Sequence, residues 1–130
     1  RICLVGSEMC IRDRFREEHS PRTLVDKVDF ISAPGFSDEN IYRPGGPKFL
    51  LTNRALFKFN KQKKRFCLLK IHNNESIENI IKLTGFKFDV DDKITNMSIP
   101  DQTRVNILRN KISYMVSEFY PEFADRIWGI

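Results

Sequence analysis

Two adjacent glycines, Gly45 and Gly46, stand between Pro44 and Pro47 and are the residues of this sequence best suited to chemistry. With no Cβ in the way, their amides can approach a ligand closely and donate to a phosphate or a carbonyl oxygen. Their spacing fits neither the dinucleotide fingerprint nor the P-loop, so a tight turn between a loop and a strand accounts for the same residues. Lys58, Lys61, Lys63, Lys64 and Arg65 form the densest basic cluster, with Phe57, Phe59 and Phe66 beside it. Nucleic acid would want such cations next to exposed aromatic rings. These Phe fall where strands bury them, and lysines at a hairpin tip also blunt edge pairing. The cluster reads as a solvated turn, and no nucleic-acid partner is expected.

His19 and His72 are the only histidines, and no Cys, Asp or Glu stands with them in a ligand pattern, so no metal site is expected. Nucleophilic catalysis needs a Ser or Cys beside a base, and spacing nominates none. His19 precedes Ser20-Pro21-Arg22, a group able to touch an anion, although a structural or surface place is the simpler reading. Asp89, Asp91 and Asp92 lack the calcium-loop pattern and read as an exposed strand end. Trp128 reads as a packing anchor.

These groups must be held by a small scaffold. The chain has 130 residues, room for one domain. It is 41% hydrophobic and 30% charged, with 11 Phe, which excludes a disordered tail. No apolar run exceeds four residues, short of the ~20 of a membrane helix or the ~7–15 of a signal peptide. A cytoplasmic protein with no membrane partner is expected. The formal charge of +5 is moderate for this length. Three Cys, an odd number, argue against a disulfide framework and for a reducing compartment.

Residues 1–14 stand apart. Leu4 to Asp13, LVGSEMCIRD, resemble one reading frame of the transposon-end adapter used in sequencing libraries. Such scars are set aside in fold reasoning. Cys3 and Cys10 go with them, leaving Cys67, and residues 15–130 are expected to be a piece of a longer reading frame.

Along that piece, Phe15 to His19 suggest the end of a strand, and Leu24 to Ile31 a short helical turn leading into a strand. Pro44 to Pro47 is the strongest turn signal. Phe49 to Thr52 and Ala55 to Phe59 predict a hairpin, and Phe66 to His72 a well-buried strand. Asn74 or Ser76 can cap a helix carrying Ile77, Ile80, Ile81 and Thr84 on one face, with Gly85 as its C′ glycine. Phe86, Phe88 and Val90 alternate as a half-buried strand. Asp101 caps a last helix whose stripe, Val105, Leu108, Ile112, Met115, Val116 and Phe119, is stopped by Pro121. Interleaved strands and helices give the class α/β or α+β.

The order of segments carries a resemblance. Val25 to Gly35, VDKVDFISAPG, resembles the "VekVDFiTSPG" signature of family I coenzyme A transferases, in the β subunit of the glutaconate type. Gly45 to Asn53 with Ala55-Leu56-Phe57 resembles that family's "GGPxxviTdlgvF" stretch. Leu68 to His72, Ser76 to Ile80 and Thr84-Gly85-Phe86 follow its "l…lhpgvtveeI…TGf…v" succession, an ending similar to that of the 3-oxoacid CoA-transferases. Asn73-Asn74 replaces the family's Pro-Gly, Ala55 replaces its usual turn glycine, and the tail from Thr103 to Ile130 is unlike the family's short ending.

The resemblance implies an open α/β domain, the C-terminal portion of a CoA-transferase β subunit, working with an α subunit on an acyl-CoA. It implies transfer of coenzyme A between an acyl-CoA and a carboxylic acid through a Glu thioester. The Glu lies N-terminal to the matched stretch, so no catalytic residue is expected here, Glu17 and Glu18 included. Coenzyme A would be a substrate, with no cofactor held permanently, and Gly45 and Gly46 are the candidate contacts to it. A related branch opens a carbocyclic ring by CoA-dependent hydrolysis in steroid breakdown, and Glu18 to Arg22 resemble some of its members. A non-catalytic basic binding module is the alternative of another class.

Overall fold

A computed structural model describes residues 13–31, 35 and 46–130. The chain divides into two compact units, Arg1–Met97 and Ser98–Ile130. The expected loop over 36–43 and the Ala33-Pro34 break fall outside the described residues, as does Gly45.

The first unit is a five-stranded mixed sheet whose spatial order follows the chain: β1 (Asp13–Arg16), β2 (Phe49–Thr52), β3 (Ala55–Asn60), β4 (Arg65–Ile71) and β5 (Asp89–Asn96). The inner pairs are antiparallel, while β1 joins β2 and β5 joins β4 in parallel. β1 begins at Asp13, two positions before the expected junction, and all its residues are exposed. The β2–β3 hairpin turns at Asn53-Arg54, as its sequence predicts. It needs no glycine, because the Thr52 hydroxyl accepts from the Ala55 amide (2.9 Å) and the Arg54 amide (3.2 Å). That side-chain bond explains how Ala55 can stand where the resembling family has Gly.

Helix α1 (Ile77–Leu83) is capped by Ser76, whose Oγ accepts from the Asn79 amide at 3.2 Å. Its Ile80 is fully buried against the sheet. The core is Leu24, Leu50, Ala55, Phe57, Leu68, Ile71 and Ile80. Phe57 sits at its centre with Phe66, Phe86 and Phe88 edge-on at 6.3, 6.0 and 5.2 Å.

Three local expectations are corrected. Residues 24–31 form neither a helical turn nor a strand; Val28, Phe30 and Ile31 lie exposed, in keeping with apolar positions that follow no single period. The strand expected over Phe86 to Val90 begins only at Asp89. Phe86 and Phe88 instead pack sideways on the core. Gly85 is not a left-handed C′ residue, since only Gly46 and Gly129 among the described glycines have positive φ.

The second unit holds α2 (Gln102–Ile107), a π-helical turn (Leu108–Ile112), α3 (Ser113–Ser117) and α4 (Pro121–Trp128). Asp101 caps α2 as expected, its Oδ1 accepting from the Arg104 amide at 2.8 Å. The wide π turn breaks the predicted stripe: Ser113 becomes buried while Met115 and Phe119 stay exposed. The Ser113 hydroxyl donates to the Arg109 carbonyl (2.5 Å), a back-bond that bends helices. Pro121 does not merely stop a helix. It opens α4 at a first-turn position where its missing N–H costs nothing. Phe123 packs edge-on against Trp128 at 5.7 Å, the anchoring role expected of that Trp.

Candidate functional site

Gly46 leads into β2 with φ 136, a conformation that L side chains rarely adopt. A Cβ built on Gly35 would lie 3.4 Å from Pro47 Cδ, so Gly35, the last residue of the stretch Val25 to Gly35, meets Pro47 of the stretch Gly45 to Asn53. Just beyond, the Lys48 carbonyl accepts from the Phe59 amide at 2.8 Å, tying this loop to the far end of β3.

His19 lies at the opposite end of β2, near its C-terminal residue Thr52, and is buried. Its Nδ1 is 2.8 Å from Thr52 Oγ1 and its Nε2 is 2.9 Å from Thr84 Oγ1. Thr84 donates its hydroxyl to the Ile80 carbonyl at 2.7 Å and so accepts from Nε2–H. Thr52 Oγ1 accepts from two amides, and its single proton is shared between the Ala55 carbonyl (3.1 Å) and His19 Nδ1 (2.8 Å). Both ring nitrogens of a neutral imidazole thus have a hydroxyl within hydrogen-bond reach. The imidazole thereby fastens residues 19–24 to the end of β2 and to the end of α1, a structural place and not an anion contact.

Burial first, and then the nearby Arg54 charge, push the His19 pKa below its ordinary value, with Glu75 opposing. The folded state therefore prefers the neutral ring. The resulting stability is complete above the unfolded-state pKa and is lost as pH falls through the depressed folded value. Thermal unfolding should show a Tm that drops as the pH is lowered from about 7 to about 5, the interval in which an ordinary imidazole takes up its proton. The slope over this interval should flatten in His19→Gln, whose amide can donate and accept without titrating; an unchanged slope would assign it to other groups.

The rest of the 18–22 stretch is occupied with itself. The Ser20 hydroxyl donates to Glu18 Oε1 (2.7 Å), and Arg22 pairs with Glu18 Oε2 (2.8 Å); the Arg22 contact first, and then the Ser20 one, lower the Glu18 pKa. Arg54 pairs with Glu75, whose other oxygen accepts from Asn79 Nδ2 at 2.7 Å. Burial pushes the Cys67 thiol up, against any nucleophilic role. Asp89 is more than an exposed strand end, because Lys63 and Arg65 both reach it at 3.1 Å and hold its carboxyl below the ordinary range. Among the described residues, no cluster of His, Cys, Asp and Glu could hold a metal ion.

Gly85, singled out in the sequence as a helix-ending and motif glycine, is needed for a different reason. Its amide donates to the Leu24 carbonyl at 2.7 Å, and a Cβ there would stand 2.4 Å from that oxygen. This contact lays Phe86-Lys87 alongside Val25-Asp26. Together with Phe59, Lys64, Arg65 and Phe66 they line an open groove of about 450 Å³. Thr52 and Thr84 both fall on threonines of the signature stretches, but nothing in the sequence announces that they share His19 as a partner.

No family model matches the sequence. The β subunit of glutaconate CoA-transferase from Acidaminococcus fermentans is 29% identical over 102 residues, covering 73% of this chain and 38% of the relative. The glutaconate coenzyme A-transferase crystal structure from the same organism superposes with a TM-score of 0.65 at 23% identity, over 80% of this chain and 42% of its own. The fold is that of a CoA-transferase subunit. IpdAB of Rhodococcus jostii RHA1 shares it with a TM-score of 0.64 at 22% identity, over 75% of this chain and 41% of that one. The decarboxylase AibA/AibB does so with a TM-score of 0.57 at 22% identity, over 76% of this chain and 37% of that one. The CoA-transferase scaffold expected from the ordered signatures is thus present, as an α/β unit with a mixed five-stranded sheet. The chain spans well under half the length of these relatives. No described helix is long and apolar enough to cross a membrane.

Proposed function

We propose that this chain is the C-terminal portion of a CoA-transferase β subunit that works with an α subunit on an acyl-CoA thioester in the cytoplasm. The observation that carries the reading is the meeting of Gly35 with Pro47. Two stretches separated in sequence, each resembling a transferase signature, converge beside Gly46. In this reading Gly45 and Gly46 offer bare amides to the thioester oxygen or to a phosphate. A Glu elsewhere in the longer protein attacks the thioester, forming an acyl-glutamyl anhydride and releasing the CoA thiolate. The thiolate returns to give a glutamyl-CoA thioester and the free acid, and a second carboxylic acid then takes the CoA by the same two steps. Coenzyme A enters and leaves as substrate, and no permanently held group is needed. The names AibA/AibB and IpdAB support a two-part assembly for this chain as well.

The stretch that resembles the ring-opening hydrolases, Glu18 to Arg22, is taken up by a buried imidazole and a self-paired turn. No described contact favours that reading over transfer.

The test is reconstitution. The complete reading frame, co-expressed with its α partner, should exchange CoA between an acyl-CoA and a free acid. Hydroxylamine, or borohydride after acyl-CoA loading, should trap a single Glu. The 130-residue chain alone should show no transfer. Transfer by the isolated chain would refute the placement of the Glu outside it, and hydrolysis or decarboxylation by the full assembly without exchange would refute transfer.

A further inference from the structure

The groove beside the β3–β4 hairpin gathers cations from two separate segments around an aromatic floor. Lys64 and Arg65 come from the hairpin, and Lys87 comes from the stretch after α1. Phe59, Phe66 and Phe86 are half-buried and contiguous, with centroids 5.0 Å apart for Phe59–Phe66 and 5.6 Å for Phe66–Phe86. Lys64 adopts φ 50 at the hairpin tip, and it lines the groove while its neighbours Lys63 and Arg65 pair with Asp89. Neither Lys64 nor Lys87 forms an ion pair among the described residues, so two ammonium groups remain for an anion. Asp26 is the single acid in the lining. A carboxylate there suits a ligand that carries an N–H donor as well as negative charge.

We propose that this groove binds a phosphorylated purine nucleoside. The base lies on the phenyl floor with its exocyclic amine donating to Asp26, and the phosphates face Lys64 and Lys87. Its volume of about 450 Å³ falls within the usual range for small-ligand sites. The solvated-turn reading of the lysines accounts for Lys61 and Lys63. It leaves unexplained why Lys87 converges on Lys64 over half-exposed rings. Position supplies the source of the ligand. Phe59 donates its amide to Lys48, two positions after Gly46, so the groove adjoins the glycine loop at one end of the sheet. Resting on the transferase reading, the ligand is the nucleotide half of coenzyme A, whose acyl end would extend toward Gly46. A free nucleotide has the same chemistry and is the second source.

The test is an NMR titration of the full 130-residue chain, following the ring signals of Phe59, Phe66 and Phe86. Adenosine 3′,5′-bisphosphate and coenzyme A should both move these signals and saturate, and pantetheine should not. Lys64→Glu with Lys87→Glu should weaken binding at least about tenfold, the loss expected when two attractive charges become repulsive. Lys111→Glu, in the other unit, should leave it unchanged. An unchanged backbone spectrum of the double variant shows that the fold is kept. Binding of the bisphosphate or ADP but not of coenzyme A would keep the groove and assign it to a free nucleotide. Pyrophosphate binding as tightly as the bisphosphate would overturn the aromatic floor. Oligonucleotide binding tighter than the bisphosphate, with a steep salt dependence, would replace the proposal with a nucleic-acid surface. Shifts confined to other residues, or none at millimolar nucleotide, would overturn it outright. None of these outcomes touches the transferase assay, which uses the whole assembly and a different readout.

Discussion

Phe57→Ala should lower the unfolding free energy of the first unit by about 3–5 kcal/mol, the usual range for truncating a buried phenyl ring. The side chain is fully buried and has Phe66, Phe86, Phe88 and His19 around it. Those neighbours come from three different segments, so no single rearrangement can fill the void. A domain of this size is stable by only about 5–15 kcal/mol in total. Tm should fall by more than about 10 °C. Urea unfolding followed by circular dichroism would measure it. Phe57→Leu should recover most of the loss, and a cost for Phe57→Ala below about 1 kcal/mol would mean that the core is centred elsewhere.

Gly85→Ala should be nearly as damaging for an unrelated reason. The backbone at Gly85 is one that Ala could adopt, so conformational preference is not the issue. The obstacle is contact: the new methyl would meet Leu24 O at 2.4 Å and Val25 Cα at 3.3 Å, both backbone atoms with no rotamer to escape into. Segments 24–25 and 85–86 must separate, at a cost of about 1–3 kcal/mol for the forced shift and about 1 kcal/mol for the lost amide bond. Gly129→Ala is the control, because nothing lies within 4 Å of its built Cβ and only its φ of 70 resists. If Gly85→Ala unfolds at the same urea concentration as the parent, the close approach is not real. If it is as described, the variant also loses the groove wall formed by Phe86 and Lys87.

The strands are legible in the sequence where local chemistry decides them. Phe49 to Thr52 and Ala55 to Phe59 are β-prone and separated by a two-residue turn, and Ser76 stands where a cap must stand. The lysines mark the hairpin tip. What the sequence hides has a common physical cause. Gly85, Phe86 and Phe88 take their conformation from a segment about sixty residues away, and no short window of sequence contains Leu24 and Gly85 together. His19 resembles a lone surface histidine for the same reason, since its partners Thr52 and Thr84 are 33 and 65 positions distant. In the second unit the helical period suits each half of the long helix. The π turn alters its phase, an event that apolar spacing does not announce. The glycine loop is visible in the sequence, but only the structure sets Pro47 against Gly35.

The strand order of the first unit has a consequence for how it assembles. Each strand lies beside the one made just before it, so the pairing of β2 with β3 and of β3 with β4 closes loops of only a few residues. Closing such loops costs little chain entropy, whereas β1 can join β2 only across the long segment between Arg16 and Phe49. The three-strand meander is therefore the natural nucleus, and the two parallel edges are added to a surface that already exists. Gly35, Gly46, Pro47 and His19 itself all lie in that late-closing segment, while the His19 partners Thr52 and Thr84 lie beyond it. The scaffold can form first, and its ligand-facing end is completed last.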